Sequence, residues 1–165
     1  MHDPSIQQWA ALLYVAAQFT ARKSDSWKDL IHLKAQGDEL SIYGTDGVSM
    51  VKIEGKVDHT LSGGGHYTLD PTSFRKKPGP SKNQVFVGVE RDRAPLPFTP
   101  YNIDEMAKEV GRSSVNPELL AKASKSLTVA GQRVDLFTGR ALTQLKVIGG
   151  FFPDQTVTAY VANLA

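Results

Sequence analysis

The stretch Val115-Asn116-Pro117-Glu118-Leu119-Leu120-Ala121-Lys122-Ala123-Ser124-Lys125-Ser126-Leu127 decides how this chain is read, together with the alternating runs that follow it. Asn116 is a good helix N-cap, Pro117 suits the first helical position, and Glu118 complements the positive end of the helix dipole. Leu119, Leu120, Ala123 and Leu127 fall on one arc, and Lys122, Lys125 and Ser126 on the other. Three strand-like runs come next: Val134-Asp135-Leu136-Phe137, Leu142 to Ile148, and Val157-Thr158-Ala159-Tyr160-Val161. Turns are expected at Thr138-Gly139-Arg140 and Gly149-Gly150.

Outward from this stretch, the same order of elements occurs at the other end of the chain. Pro4-Ser5-Ile6 opens a helical pattern in which Ile6, Trp9, Ala10, Leu13, Ala16 and Ala17 share one arc. Gln7, Gln8, Ala11, Gln18 and Arg22 lie opposite, and Arg22 and Lys23 are expected in the last turn, where cations suit the helix dipole. Three runs follow, Leu30 to Ala35, Glu39 to Gly44 and Val48 to Ile53, with turns at Gly37-Asp38 and Asp46-Gly47. The expectation is an α+β domain: two helices packed on antiparallel sheets, made from two pseudo-repeated helix-strand-strand-strand units. Unit one spans about 4–69 and unit two about 115–165.

Between the units, from Asp70 to Ser114, periodicity decays and prolines accumulate at 71, 78, 80, 95, 97 and 100. Val85 to Val89 reads as a strand, and Ile103, Met106, Ala107 and Val110 as a short amphipathic helix; the rest reads as an elaborated surface loop. Arg75, Lys76, Lys77 and Lys82 form a basic cluster here, either a plain solvated loop or a contact for phosphates. Ser62-Gly63-Gly64-Gly65 lacks the lysine and hydroxyl residue of a phosphate loop and reads as a hairpin turn.

Composition narrows the function classes. With 165 residues the chain is read as one domain able to bury roughly two-thirds of its unfolded surface. The 41% hydrophobic and 22% charged fractions are those of a globular protein. Cysteine is absent, which removes disulfides, zinc thiolates and thiol nucleophiles and permits a reducing cytoplasm. The apolar run from Trp9 to Ala17 is shorter than the ~20 residues a membrane span needs and has no basic leader, so neither membrane nor secretion is expected. A net charge of +2 leaves only local clustering to make a nucleic-acid surface.

The segment from Trp27 to Asp46, with its apolar strand, acidic turn, alternating strand and Thr45-Asp46, resembles the bacterial DNA sliding clamps, the DNA polymerase III beta subunit family. Val115 to Leu120 and the closing Ala159-Tyr160-Val161 resemble that family's last domain. The resemblance implies a single DNA-clamp-like domain over 1–165, of bacteriophage origin because of its size, that would act in the host cytoplasm. It implies a non-enzymatic processivity or tethering factor that self-assembles through sheet edges into a homo-oligomer. Duplex DNA would be one partner, and DNA polymerase or clamp-loader proteins others. Family members carry three such domains per chain and close a ring from two chains, so a comparable ring here takes about six copies. Helix cations hold DNA in that family; by resemblance Lys122 and Lys125 take the role, and Arg22 and Lys23 more weakly, while Arg75, Lys76 and Lys77 are a further candidate DNA contact on their local charge alone. The ending Ala162-Asn163-Leu164-Ala165 departs from the family's proline-containing tail.

That departure motivates an alternative, a clamp-fold protein-interaction module that regulates or mimics the host clamp without encircling DNA. A small-ligand protein or enzyme built around the 70–114 insertion is a third reading. No residue set supports catalysis, and no cofactor is expected. His2, His32, His59 and His66 lack metal-ligand spacing; His59 and His66 flank the glycine turn, and His32 sits within an apolar strand where a structural role is expected. Gln144 to Ile148 is expected to be a buried strand.

Overall fold

The computed structural model describes residues 4–22, 27–56, 65–77, 90–91, 108, 112–152 and 155–164. The first helix, α1, covers Pro4–Gln18. It stops short of Arg22, which corrects the expectation that Arg22 lies in its last turn; Lys23 lies outside the described residues. The helix tightens at its end because Phe19 and Thr20 donate their backbone N–H groups to the Ala16 and Ala17 carbonyls, and the Thr20 hydroxyl donates to Ala17 at 2.8 Å. Thr20 thereby satisfies a carbonyl that would otherwise need the next turn of helix.

Three strands follow in a meander, β1 (Ile31–Gln36), β2 (Glu39–Thr45) and β3 (Ser49–Lys56). Then come β4 (Gly65–Leu69) and the two-residue β5 (Glu90–Arg91). Unit two supplies α2 (Pro117–Ser126), β6 (Val134–Thr138), β7 (Leu142–Val147) and β8 (Gln155–Ala162). The side chain of Asn116 caps α2, accepting from the Glu118 N–H at 2.9 Å, with Pro117 directly behind it. The β1–β2 turn carries Gly37 at φ 62°, a left-handed conformation that glycine adopts without steric cost.

All described strands lie in one antiparallel sheet, in the order β5-β4-β1-β2-β3-β8-β7-β6. The last strands of the two units, β3 and β8, meet at its centre, with Val51 opposite Ala159 and Ile53 opposite Val157. Outward from this seam, β2 and β1 match β7 and β6, so the units are related by a pseudo-two-fold through it. β4 and β5 extend unit one beyond the expected three strands. Tyr67 and Thr68 of β4 stand where only the end of a glycine turn had been legible.

Both helices cover the same face. Leu33, Ile42, Val51, Ile53, Val157, Ala159 and Leu145 from the sheet share one buried cluster with residues of both α1 and α2, among them Leu13, Ala16, Ala123 and Leu127. Leu12 and Val15 of α1, which lie off the expected apolar arc, are also fully buried. Each such aliphatic side chain contributes about 1.5–3 kcal/mol when removed from water. The opposite face has its own small cluster of Tyr43, Met50 and Tyr160 with Leu142 against it.

His32 is fully buried on that second face, its Nδ1 3.0 Å from His66 Nε2 with the rings stacked. One nitrogen donates and the other accepts, so the pair is a structural hydrogen bond between β1 and β4. His59 lies outside the described residues. The start of the proline-rich middle is not surface loop: Pro71 and Phe74 are buried, and Phe74 joins the main core from a 3-10 turn over Thr72–Phe74. The expected strand over 85–89 and the residues named for a helix between 103 and 110 lie outside the described residues. Gln144 to Val147 belongs to β7, with Leu145 fully buried, as alternation implied.

Candidate functional site

The β2–β3 turn is built by its own side chains. Asp46 Oδ1 accepts from the backbone N–H of Val48 at 3.0 Å, from that of Ser49 at 2.8 Å and from the Ser49 hydroxyl at 3.1 Å. Thr45 Oγ1 donates to the Ser49 carbonyl and accepts from the Gly47 N–H. Gly47 stands at φ 97°, a conformation that side chains rarely adopt. This Thr-Asp-Gly turn leaves Asp46 Oδ2 free to face away, and Lys122 Nζ on α2 stands 3.6 Å from it. An acidic turn of unit one and a lysine of unit two therefore meet. Lys122 remains half exposed, which keeps this contact weak.

Arg75 approaches from a third direction. Its Nη2 donates to the Ala21 carbonyl at 3.0 Å and its Nη1 to Ala17 at 3.3 Å, while Gln18 Nε2 donates to the Arg75 carbonyl at 3.1 Å. The planar guanidinium suits this fork of contacts, and its charge sits at the negative end of α1. Burial, and after it the neighbouring Arg22, push the guanidinium below its ordinary value, while Asp70 and Asp29 act in the other direction.

These elements border a polar cleft of about 370 Å³ lined by Gln18, Thr20, Ala21, Arg22, Asp46, Arg75 and Lys122. Three cations and one carboxylate thus converge where the end of α1, the β2–β3 turn and α2 come together. On α2 the exposed stripe continues through Glu118, Ala121, Lys122 and Lys125. Chemically the cleft suits an anion with several oxygens, since Arg22 and Lys122 supply donors and Thr20 and Gln18 neutral polar groups.

Of the residues singled out from the sequence, Arg22, Arg75 and Lys122 are brought together in the cleft. Lys125 lies one turn along α2, and Lys76 and Lys77, both exposed, follow Arg75 in the chain. Asp46, Gln18 and Thr20 were missed as members of the site. The Asp46-Gly47 pair signalled a turn, but nothing local told that its second carboxylate oxygen faces α2. Among the described residues there is no group of three or more His, Cys, Asp or Glu side chains that could hold a metal, and no helix is long and apolar enough to cross a membrane.

No protein-family model and no curated protein matches the sequence. Solved structures do match. The DNA polymerase III subunit beta of Pseudomonas aeruginosa superposes with a TM-score of 0.60 over 96% of this chain, at 10% identity. This is a sliding-clamp fold. The sliding clamp of Bartonella birtlesii, also a DNA polymerase III subunit beta, gives 0.60 over 95% at 9% identity, and the beta subunit of Thermotoga maritima 0.57 over 93% at 11%. The clamp-fold match spans 63%, 62% and 61% of those three chains, just under two thirds of each. In this clamp-fold domain the cationic cleft lies at the end of α1, and Lys122 and Lys125 lie on the outward stripe of α2.

Proposed function

We propose that this chain is a clamp-type DNA-tethering subunit, which self-assembles through its sheet edges and holds duplex DNA against the side that carries α1 and α2. The observation that carries this reading is the convergence of Arg22, Arg75 and Lys122 on one cleft, with Lys125 one turn further along α2. Cations in such an arrangement bond phosphate oxygens and carry no base information, so binding is independent of sequence. With about 2–4 phosphate contacts per copy, affinity of one copy is weak and steeply salt-dependent, and several copies acting together supply retention. Cytoplasm, bacterial or that of a bacteriophage host, is the compartment where this activity finds its DNA. DNA polymerase or clamp-loader proteins are the partners this reading adds.

The test is retention of duplex DNA across a salt series, comparing the natural chain with the Lys122→Glu, Lys125→Glu double variant. Retention that falls with salt, and falls further in the variant at unchanged melting temperature, is the expected result. Equal retention in both proteins removes these lysines from the interface, and none in either protein overturns the reading.

A second reading, a clamp-fold module that regulates or mimics a host clamp through protein contacts, is favoured by one observation. Arg75 spends its guanidinium on the end of α1, and Lys122 faces Asp46, so fewer cations are free for phosphate. No DNA retention, together with a stoichiometric complex with a purified bacterial beta subunit, would support this alternative.

A further inference from the structure

We propose that His32 and His66 form an acid-sensitive latch, which holds β4, and through it Arg75, against the rest of the sheet. The inference does not rest on DNA binding. β1 and β4 pair with His32 opposite Thr68 and Lys34 opposite His66, so the two histidines are diagonal neighbours on the face away from the helices. His32 is fully buried, and its Nδ1 stands 3.0 Å from His66 Nε2 with the ring planes 22° apart. That separation is a hydrogen bond, and a hydrogen bond between two ring nitrogens has room for one proton.

The proton count follows from this geometry. With both rings neutral, one facing nitrogen donates and the other accepts. With one ring cationic the bond survives, because the neutral ring still offers its lone pair. With both rings cationic, His32 Nδ1 and His66 Nε2 each carry a hydrogen, and two N–H groups point at one another across 3.0 Å. The bond then has to open. Further partners of either ring leave the count unchanged, since the limit lies at the two facing nitrogens.

The charged and titratable groups around the pair, among the described residues, come from four strands. Lys34 of β1, directly opposite His66, is exposed, and its like charge raises the cost of a second cation. Tyr43 of β2 lies opposite His32 and is neutral in acid. Beyond it on β3, Lys52 lies opposite Tyr43 and is ion-paired with Glu54. Glu90 of β5 holds the register position opposite Thr68. A neighbouring carboxylate favours a first cation, and the limit of one proton between the facing nitrogens is the same with it.

An unfolded chain has no such limit. Below the ordinary histidine value of about 6.5, both of its rings take a proton. The folded chain then binds at least one proton fewer, so this stability is complete above that pH and is lost as pH falls below it. What the latch holds is specific. β4 is fixed to β1 on one side and carries only the two-residue β5 on the other. From Leu69, in the main core, the chain runs through buried Pro71 and Phe74 to Arg75, whose guanidinium bonds the end of α1 and lines the cleft. Acid therefore loosens the β4 side of the sheet first, because the β3–β8 seam contains no histidine.

His32→Asn tests the count. The asparagine amide can donate to a neutral His66 or accept from a cationic one, so His66 titrates without opening the contact. Between pH 6 and pH 5 the unfolding constant of the natural chain is expected to rise roughly five- to tenfold more than that of the variant, the effect of about one proton. Equal rises overturn the proposal. Nitrogen NMR of the imidazoles needs no variant: at pH 5, in the folded natural chain, at most one of the two rings is expected to be cationic. Two cationic rings with the β4 amides still protected from exchange also overturn it. Amide exchange, corrected for its intrinsic rate, is expected to lose protection at residues 67–69 before residues 157–161 as pH falls from 7 to 5; simultaneous loss across the sheet shows that the pair latches nothing.

Discussion

Gly44 of β2 and Ala16 of α1 meet backbone to backbone. A Cβ built on Gly44 would stand 2.2 Å from the Ala16 carbonyl oxygen, a distance no side-chain carbon tolerates. The helix thus lies directly on the strand, and the contact sets how deep α1 sits over β2 and β3. Gly44→Ala forces the helix outward and is expected to cost about 3 kcal/mol or more, the upper range for overpacking. Chemical denaturation of the single variant measures it. A loss under about 1 kcal/mol would mean that the helix yields easily at this point.

Arg75 ties the buried 3-10 turn that carries Phe74 to the end of α1. Arg75→Ala removes both donations to Ala17 and Ala21 and is expected to cost about 1.5–3 kcal/mol. Arg75→Lys recovers little, because one ammonium cannot reproduce a planar fork on two carbonyls. Full rescue by lysine in a thermal melt would show that charge at the helix end, and not the paired hydrogen bonds, is what matters.

Asp46 stands in the cleft as the one carboxylate among cations. Asp46→Asn keeps an acceptor oxygen for Val48 and Ser49 and removes the charge facing Lys122. If the cleft holds phosphate, DNA retention at low salt rises by a factor of about two to five, the equivalent of a surface ion pair. Stability stays within about 1 kcal/mol. Retention that drops instead would assign Asp46 a positive part in binding.

Tyr43 reports on the second face of the sheet. Burial pushes its phenol above the usual value of 10.0, and Glu54 adds to this, against the opposing effects of Lys52 and the Ser41 hydrogen bond. The folded chain therefore holds the phenolic proton more tightly than the unfolded chain. The resulting stability is complete below pH 10.0 and is lost as pH rises through the higher folded value. Tyr43→Phe is expected to flatten the alkaline decline in melting temperature relative to the natural chain. Parallel declines in the two proteins would contradict this.

Much of the architecture was legible because its signals are local. The Asn116-Pro117 cap, the Gly37-Asp38 and Asp46-Gly47 turns and the period-two runs each depend on neighbours a few positions away, and the elements stand close to where those residues place them. The end of α1 was misread because Arg22 and Lys23 fit a dipole pattern, while the Thr20 hydroxyl and the Arg75 guanidinium had already satisfied the helix carbonyls. β4 and β5 were missed as strands because their residues carry little alternation and are defined by pairing with β1 and with each other.

The chain by itself determined two helix-and-strand units, their caps and turns, and the cationic side chains at 22, 75, 122 and 125. Only the tertiary structure decided that the units share one sheet through β3 and β8, and that Arg22, Arg75 and Lys122 line one cleft with Asp46. The reason is physical. Local backbone preference is set by neighbouring residues, whereas the seam follows from burying the apolar faces of two half-sheets under two helices. Once that burial is satisfied, side chains distant in sequence meet at the end of α1.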